Sequence, residues 1–336
     1  MTAALDAPAR SQALVSVVLP VYQGERVIAG AVRSALAQSY RNLELIVIDD
    51  GSQDRTLERL AAFDDPRLSV IRQSNSGAAA ARNAALARIR GDYVAFLDAD
   101  DRWFPDKIAT EVALLQGAGG AGIAYSWYFA VDDAGRLLHR SRTTALAGMA
   151  FERVLEHETF LLPSVSLYDR RVIDAVGGFA ARRVHEDFDF NLRAVKAFPI
   201  YPTRRYLAVY RQSLQGKGRR VLSDFEAARG AQLAIADDVR PLLDERQFET
   251  LRRTLIQGLY CRFLMYGFNA SARRLQAELD VSALRGSKGR LARVFALTGF
   301  NALPPARAAV QTAHRVLFQA AWKKRLESAR LRLEYE

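Results

Sequence analysis

The sequence predicts an α/β domain with a mostly parallel sheet flanked by helices, followed by an α-helical C-terminal region. Two observations indicate this: short apolar runs alternate with segments of helical spacing over the first 130 residues, and the helical pattern continues without strands beyond about residue 220. Alternation with short connections is typical of parallel strands joined by right-handed crossovers. We therefore divide the chain into an N-terminal extension (1–14), an α/β domain (15–220) and a basic helical region (221–336).

The first half of the domain is predicted as four buried strands separated by three helices. Each strand is a short apolar run, as expected for strands covered on both faces, and the first helix has apolar residues at a spacing of three and four. The strands are Val15–Leu19, Leu43–Ile48, Leu68–Arg72 and Tyr93–Leu97. The helices are Glu25–Gln38, about Asp54–Phe63, and an alanine-rich segment from Ser76 to Arg90.

From Gly122 onward the pattern is less regular. Strands are predicted at Ile123–Val131, Leu161–Tyr168 and Ile200–Arg211, and a helix at Glu186–Phe198. Nearly everything beyond Val221 is predicted to be helical.

Composition excludes several protein classes. Half of the residues are hydrophobic and a quarter are charged, which rules out wholesale disorder. No apolar run approaches the roughly 18 residues of a membrane span, and the N-terminus has no secretory pattern. A single cysteine, Cys261, excludes an internal disulfide framework and a cysteine-based zinc site. We therefore expect a cytoplasmic protein.

The net charge of +11 is concentrated in the C-terminal tail, where residues 281–336 contain 11 Lys and Arg against 3 Asp and Glu. Two apolar clusters, Val294–Leu297 and Val316–Phe318, have basic flanks, with Trp322 nearby. This pattern is typical of a helix lying peripherally on an anionic membrane surface. The alternative, given equal weight, is a helical subdomain that packs on the main domain or in a homo-oligomer. We expect no nucleic-acid partner, because acidic residues cluster on the main domain.

Five carboxylates follow two of the predicted strands: Asp49 and Asp50 after the second, and Asp98, Asp100 and Asp101 after the fourth. Ligands of open α/β sheets bind beyond the carboxyl ends of the strands. Mutual repulsion there would cost on the order of several kcal/mol, and Mn²⁺ or Mg²⁺ would relieve it. Each group alone is an ordinary turn or helix cap. Together they predict a metal site for a nucleoside-diphosphate substrate, whose phosphates complete the coordination.

Five segments in order resemble the glycosyltransferases of family 2, which have the GT-A (Rossmann-like) fold. The likeness spans about Val15–Ser213, and its segments are Val15–Tyr22, Glu44–Ser52, Ala81-Arg82-Asn83, Phe96–Asp101, and Gly177-Gly178-Phe179 followed by His185–Phe190. The resemblance implies an inverting, metal-dependent transferase. It would move a sugar from a nucleoside-diphosphate donor, UDP above all, to a hydroxyl of a glycan or lipid-linked acceptor in cell-surface polysaccharide synthesis. Residues 15–121 would then bind the donor and residues 122–220 the acceptor.

The resemblance also implies roles for single residues. Pro20 and Tyr22 would border the base and ribose, Asp50 would hold the base edge, and Arg82 and Asn83 would steady the nucleotide. Asp98-Ala99-Asp100 matches the Asp-x-Asp motif, with Asp100 as the direct metal ligand and Asp98 at the ribose or beside the metal. Two departures are visible: Gln23 stands in place of the family's common Asn, and Gln212–Lys217 replaces a segment that usually contains His. Lys217 or Arg219 would reach the diphosphate from this loop.

Glu186 and Asp187 begin a predicted helix, where acidic residues can simply complement the helix dipole. The matching motif of the family instead implies that Asp187 is the general base, with Glu186 as the alternative. A base is needed because a sugar hydroxyl is a poor nucleophile until its proton is removed. Base and metal on opposite faces of the sugar would invert the anomeric carbon. His185 is assigned no role.

Two other readings remain open from the residues. A sugar-nucleotide pyrophosphorylase would also use a nucleotide fold and Mg²⁺, but the segment Pro20–Glu25 lacks the Gly-rich basic signature of that class. A non-catalytic module could use the basic tail to bind a membrane or nucleic acid. Turnover of a nucleotide sugar in the presence of Mn²⁺ would separate these readings.

Overall fold

A computed structural model of the protein describes residues 13–141, 145–156, 161–180, 186–212, 222–266, 268–276 and 279. The strands are β1 (Val15–Val21), β2 (Leu43–Asp49), β3 (Leu68–Arg72), β4 (Tyr93–Phe96), β5 (Arg102–Trp103), β6 (Ile123–Val131), β7 (Leu137–Arg140), β8 (Ser166–Asp169) and β9 (Ile200–Arg211). The helices are α1 (Ile28–Leu36), α2 (Thr56–Ala61), α3 (Ala78–Leu86), α4 (Lys107–Ala118), α5 (Phe151–Leu155), α6 (Arg170–Val176), α7 (Glu186–Ala197), α8 (Phe225–Val239), α9 (Glu245–Tyr266) and α10 (Asn269–Gln276).

One nine-stranded sheet runs through the α/β domain in the order β3-β2-β1-β4-β8-β6-β9-β5, with β7 paired to β6. The first four strands are parallel, with β1 between β2 and β4. Beyond them the directions mix: β8 is antiparallel to both β4 and β6, whereas β9 is parallel to β6. The predicted α/β fold with a helical C-terminal part is confirmed, and its parallel strands β1 to β4 lie within the residues 15–121 that were predicted to bind the donor.

The core forms two layers, one on each face of the sheet. Side chains alternate along β1, so that Val17 and Leu19 enter one buried cluster while Val18 enters the other. Both faces are therefore apolar, which explains why these strands appear in the sequence as uninterrupted hydrophobic runs. A third cluster joins the C-terminal helices around Tyr260 and Phe263.

One predicted strand was wrong in its extent. Leu161–Tyr168 was expected to be continuous, but the structure has a 3₁₀ turn at Pro163–Val165 before β8 begins at Ser166. Pro163 has no N–H to donate to a sheet, and the turn carries the chain into the antiparallel half of the sheet. The short strands β5 and β7 and the helices α4, α5 and α6 were not predicted.

Among the described residues, none of the helices combines the length and the apolar character that crossing a bilayer requires. His185, Lys217, Arg219 and the tail from 281 to 336 lie outside the described residues. The predictions for the loop after β9 and for the tail therefore stay predictions.

Candidate active site

The carboxyl ends of β1, β2 and β4 meet at a cleft of about 570 Å³. Parallel strands place their ends at one edge of the sheet, so segments far apart in sequence converge there. Seven of the residues expected at the site line this cleft: Pro20, Tyr22, Asp50, Arg82, Asp98, Ala99 and Asp100. Tyr22 is half exposed at 51%, so much of its side chain is accessible to a ligand in the cleft.

The carboxylate of Asp50 is held by the turn that begins α3. Its Oδ1 accepts hydrogen bonds from Gln73 Nε2 at 2.7 Å and from the Ser76 N–H at 2.9 Å, and its Oδ2 accepts one from the Gly77 N–H at 2.8 Å. Gly77 has φ of 90°, a conformation that favours glycine. Oδ1 is thus fully used, while the bonds to described residues leave Oδ2 able to accept one more N–H.

Asp49 does not belong to the acidic group of the cleft. It is fully buried, accepts a hydrogen bond from the Ser52 N–H at 3.2 Å and forms an ion pair with Arg72 at 3.4 Å. Asp49 is therefore not one of the carboxylates that line the cleft, because Ser52 and Arg72 hold its side chain.

Asp98 and Asp100 present two carboxylates to the cleft, while Asp101 is turned into the fold. Asp101 is 1% exposed, and its Oδ1 accepts a hydrogen bond from the Arg211 N–H at 2.9 Å. Burial and the charge of Asp98 raise the pKa of Asp100 to about 6. Negative charge at Asp100 is thus poorly compensated by the protein, which is the condition that a bound cation would relieve.

The donor set of the cleft fits a hard divalent cation that is only partly held by protein. Among the described residues, no three His, Cys, Asp or Glu side chains are grouped so that they could hold a metal ion by themselves. Mg²⁺ usually binds one or two carboxylates and takes its other ligands from water and substrate phosphates. Asp98 and Asp100 match that mode of binding.

Arg82, on α3, joins the cleft to the first turn of α7. Its Nη2 donates to Asp98 Oδ1 and its Nη1 donates to Glu186 Oε1, both at 2.7 Å. Burial opposes its charge, but the carboxylates of Asp98, Glu186 and Asp187 raise the pKa of Arg82. A permanently charged guanidinium therefore sits between the donor side of the cleft and the helix of the expected base.

Asp187 lies in the first turn of α7, next to this ion pair. Burial, with help from the charges of Glu186 and Asp98, raises the pKa of Asp187 to about 6, although Arg82 acts in the opposite direction. Asp187 is not among the residues that line the cleft. Glu186 Oε1 accepts from Arg82, and Asp187 Oδ1 accepts from the Phe188 N–H.

Asn83 does not line the cleft, contrary to the expectation that it opens onto the nucleotide. Its Nδ2 donates to the carbonyl oxygen of Phe179, and its Oδ1 accepts from the Phe179 N–H, both at 2.8 Å. Both polar ends of the amide are therefore engaged with the chain itself.

Sequence reasoning missed three polar residues of the cleft: Asn75, Tyr210 and Arg211. Arg211 is 5% exposed and donates from Nη1 to the Asp133 carbonyl at 2.8 Å, which holds its side chain at the end of β9. No motif marks these positions. Their place at the cleft follows from the pairing of β9 with β5 and β6, which brings the end of β9 beside the Asp98–Asp101 turn.

Residues 16–180, which run from the second residue of β1 to beyond α6, match the family model described as Glycosyl transferase family 2. These residues are a family 2 glycosyltransferase domain. Curated relatives of the domain include WfgD of Escherichia coli, named UDP-Glc:alpha-D-GlcNAc-diphosphoundecaprenol beta-1,3-glucosyltransferase, which is 39% identical over 103 residues, 30% of this chain and 41% of that protein. The putative teichuronic acid biosynthesis glycosyltransferase TuaG of Bacillus subtilis is 44% identical over 105 residues, 30% of this chain and 42% of that protein.

Solved structures show the same GT-A fold around the family 2 domain. S. aureus TarS 1–349 in complex with UDP has a TM-score of 0.55 and 21% identity, covering 74% of this chain and 71% of that one. The mannosyltransferase PcManGT from Pyrobaculum calidifontis, in complex with GDP-Man and Mn²⁺, has a TM-score of 0.57 and 20% identity, covering 92% and 86%. The chain spans less than half of the length of WfgD and TuaG.

Proposed function

We propose that this protein is an inverting, metal-dependent glycosyltransferase that uses a nucleoside-diphosphate sugar, with UDP as the favoured nucleotide. The observation that carries the proposal is the cleft itself: Asp50, Asp98 and Asp100 line it together, and Arg82 connects it to the turn of Asp187. The family 2 domain favours the transferase over the pyrophosphorylase that the residues alone left open.

The preference for uridine rests on the hydrogen bonds of Asp50. Oδ1 is filled by Gln73 and Ser76, so only Oδ2 can accept from a base. Uracil offers a single N–H at its N3 position, which matches one acceptor, whereas guanine offers N1–H and the exocyclic amino group side by side. Similar proteins include both kinds: WfgD is named for UDP-Glc, and PcManGT was solved in complex with GDP-Man. The proposal for uridine therefore rests on the contacts of Asp50 in this chain.

The metal is proposed to be Mn²⁺ or Mg²⁺, held by Asp100 and, directly or through water, by Asp98. When bound, such a cation neutralises the charge that develops on the departing diphosphate. The side chains of the chain do the remaining work on the donor. Tyr22 and Pro20 border the base and ribose, and Arg82 fixes the carboxylate of Asp98.

Asp187 is proposed to take the proton from the attacking hydroxyl of the acceptor. With a pKa of about 6, it is mostly ionised at neutral pH and still a stronger base than an ordinary aspartate, which suits proton transfer near pH 7. Attack from the side of Asp187, with the diphosphate leaving toward Asp98 and Asp100, is a single displacement that inverts the anomeric carbon.

The acceptor is proposed to be a hydroxyl of a glycan or of a lipid-linked sugar in cell-surface polysaccharide synthesis. Support comes from the names of two relatives, a glucosyltransferase that acts on a diphosphoundecaprenol-linked sugar and a teichuronic acid biosynthesis enzyme. The region 122–220 contributes the second half of the domain, where the acceptor would approach Asp187.

The test is a transfer assay with UDP-glucose, UDP-GlcNAc and GDP-mannose, with MnCl₂ or with EDTA, on polyprenyl-diphosphate-linked sugar acceptors. We expect transfer from a UDP-sugar that EDTA abolishes, with inversion observed by NMR of the product. Asp187→Asn should retain donor binding but lose about 10²- to 10⁴-fold in turnover. The control Asp174→Asn, an exposed aspartate paired with Arg170 on α6, should be unaffected. An inactive Glu186→Gln beside an active Asp187→Asn would move the base to Glu186.

A further inference from the structure

Asn83 and Phe179 form a two-bond clamp between α3 and the segment after α6. The amide of Asn83 donates to the Phe179 carbonyl and accepts from the Phe179 N–H, both at 2.8 Å, across 96 residues of sequence. In an antiparallel β-sheet, a neighbouring strand bonds the backbone N–H and the carbonyl of one residue in the same way. A single side chain therefore fixes the backbone of Phe179.

Gly178 is the residue that makes room for this clamp. A Cβ at Gly178 would lie 2.5 Å from Oδ1 of Asn83 and 3.1 Å from its Cγ, and the three nearest atoms all belong to the Asn83 side chain. Gly177 has a positive φ, whereas Gly178 does not. The need for glycine at position 178 is thus steric and arises from Asn83, whereas at position 177 it is conformational.

The ring of Phe179 is wedged behind the active-site ion pair. It stacks on Phe190 of α7 with centroids 4.3 Å apart and planes at 14°, and it meets Phe96 edge-on at 5.1 Å. The guanidinium carbon of Arg82 lies 5.3 Å from the centre of the same ring. Phe190 lies one helical turn after Glu186 on α7. Phe179 therefore contacts both Arg82 and the helix to which Arg82 is bound.

We propose that Asn83 is a positioning residue which, through Phe179 and its stacking on Phe190, sets the place of the α7 turn that carries Asp187. The inference rests on the proposed function of Asp187 as the base. It gives the Gly177-Gly178-Phe179 motif a role, and it replaces donor binding with base positioning as the role of Asn83. Asp50, the proposed contact of the base, is held by Gln73, Ser76 and Gly77 and not by this clamp, so base positioning and nucleotide binding can be measured separately.

The first test is Asn83→Ala, assayed for donor binding and for transfer. Positioning predicts that kcat falls about 10- to 100-fold, since displacements near 1 Å have effects of this size, while the Kd and KM for the UDP-sugar change less than threefold. A large rise in Kd with an unchanged kcat would overturn the proposal and restore nucleotide contact. The control is Ser16→Ala, because the Ser16 hydroxyl bonds to Glu44 and to the Gly91 N–H at the far end of β1. It should lower the melting temperature and leave kcat unchanged.

The second test does not depend on activity and therefore separates failure of the clamp from failure of the proposed function. Gly178→Ala should lower the melting temperature clearly in the wild-type background and much less in the Asn83→Ala background, where the clashing side chain is gone. Hydrogen exchange at residues 186–190 should speed up in Asn83→Ala and not in Ser16→Ala. Two results would show that Asn83 does not position this turn. One is that the melting-temperature shifts of Gly178→Ala and Asn83→Ala add in the double variant; the other is that hydrogen exchange at residues 186–190 is unchanged in Asn83→Ala.

Discussion

Arg82 and Glu186 lie 104 positions apart in the sequence, yet Nη1 of the arginine and Oε1 of the glutamate are 2.7 Å apart. The second nitrogen of the same guanidinium binds Asp98 at 2.7 Å. The Arg82 guanidinium therefore compensates part of the negative charge of Asp98 and Asp100 and, at the same time, part of the negative charge of Glu186 and Asp187. The protonation of Asp187 consequently depends on a residue that also belongs to the nucleotide cleft.

This coupling predicts a pH dependence of transfer. Asp187 must be ionised to accept a proton, so with a pKa of about 6 the rate should fall as the pH drops below about 6. Arg82 lowers the pKa of Asp187. Arg82→Met should therefore raise that pKa and move the acid limb of the pH–rate profile to higher pH. Single-turnover rates from pH 5 to 9 measure the shift.

The control for this prediction is Arg88→Met, on an exposed arginine that follows α3 and bonds to the Ala84 carbonyl. Its profile should match that of the wild type. Because breaking a buried ion pair costs about 3–5 kcal/mol, folding of Arg82→Met must be confirmed by circular dichroism, and Arg82→Gln, which also removes the charge, serves if it fails. If the acid limb of both Arg82 variants lies at the same pH as that of the wild type, Arg82 does not influence the pKa of the base.

The sequence predicted the part of the cleft that is built from the ends of β1, β2 and β4. Strands β1, β2 and β4 are buried on both faces and appear as apolar runs, and the polar residues that follow each run must meet at one edge. Asn83 was misplaced because its neighbour Arg82 does face the cleft. Only the fold shows that the next residue on α3 is captured by Phe179. Helix α4 was missed because Lys107 and Glu111 occupy its buried face and interrupt the apolar period.

The acceptor geometry of Asp50 predicts selection between nucleotides. UDP should bind at least about tenfold more tightly than GDP, the range expected when one polar contact of a base cannot be matched. Gln73→Ala frees an acceptor position on Oδ1 of Asp50. It should therefore increase the affinity for GDP and reduce the preference for UDP over GDP. Isothermal titration with both nucleotides in MnCl₂ measures this. Gln53→Ala, an exposed glutamine of the adjacent turn, should keep the wild-type ratio, and equal affinities in the wild type would contradict the single-acceptor argument.

Asp100→Asn should abolish metal-dependent turnover without loss of the fold. The raised pKa of Asp100, about 6, means that its ionised form is disfavoured in the metal-free protein, so replacing it removes an unfavourable charge at neutral pH. The melting temperature without metal should stay equal or rise. In the wild type, Mn²⁺ with UDP should raise the melting temperature, since a ligand that binds only the folded state stabilises it, and this rise should vanish in the variant. Near-normal turnover in Asp100→Asn would remove it from the metal site.

The basic tail is expected to hold the full chain on anionic membranes. Each basic residue near such a surface contributes about 1 kcal/mol, so reversing Lys323, Lys324 and Arg325 to glutamate should sharply reduce sedimentation with phosphatidylglycerol vesicles at low salt. High salt should release the wild type, since screening weakens surface electrostatics. Unchanged partitioning of the triple variant would indicate that the tail packs within the protein or in a homo-oligomer.

Lys107 and Glu111 of α4 form an ion pair in which neither side chain is exposed, with Nζ and Oε2 2.6 Å apart. Burial raises the pKa of Glu111 to about 7, against the lowering effect of Lys107. Lys107→Met leaves a buried carboxylate without its partner and should cost about 3–5 kcal/mol of unfolding free energy at pH 8. In this variant the pKa of Glu111 in the folded state rises further above its value in the unfolded state. Protonation of Glu111 therefore relieves the destabilisation, and the loss of unfolding free energy should be smaller at pH 5.5. Adding Glu111→Leu should recover most of the stability, since apolar replacement of a buried pair is often neutral or better. Urea unfolding of the two variants at both pH values decides, and equal losses at pH 5.5 and 8 would mean that the charge of Glu111 is not the cause.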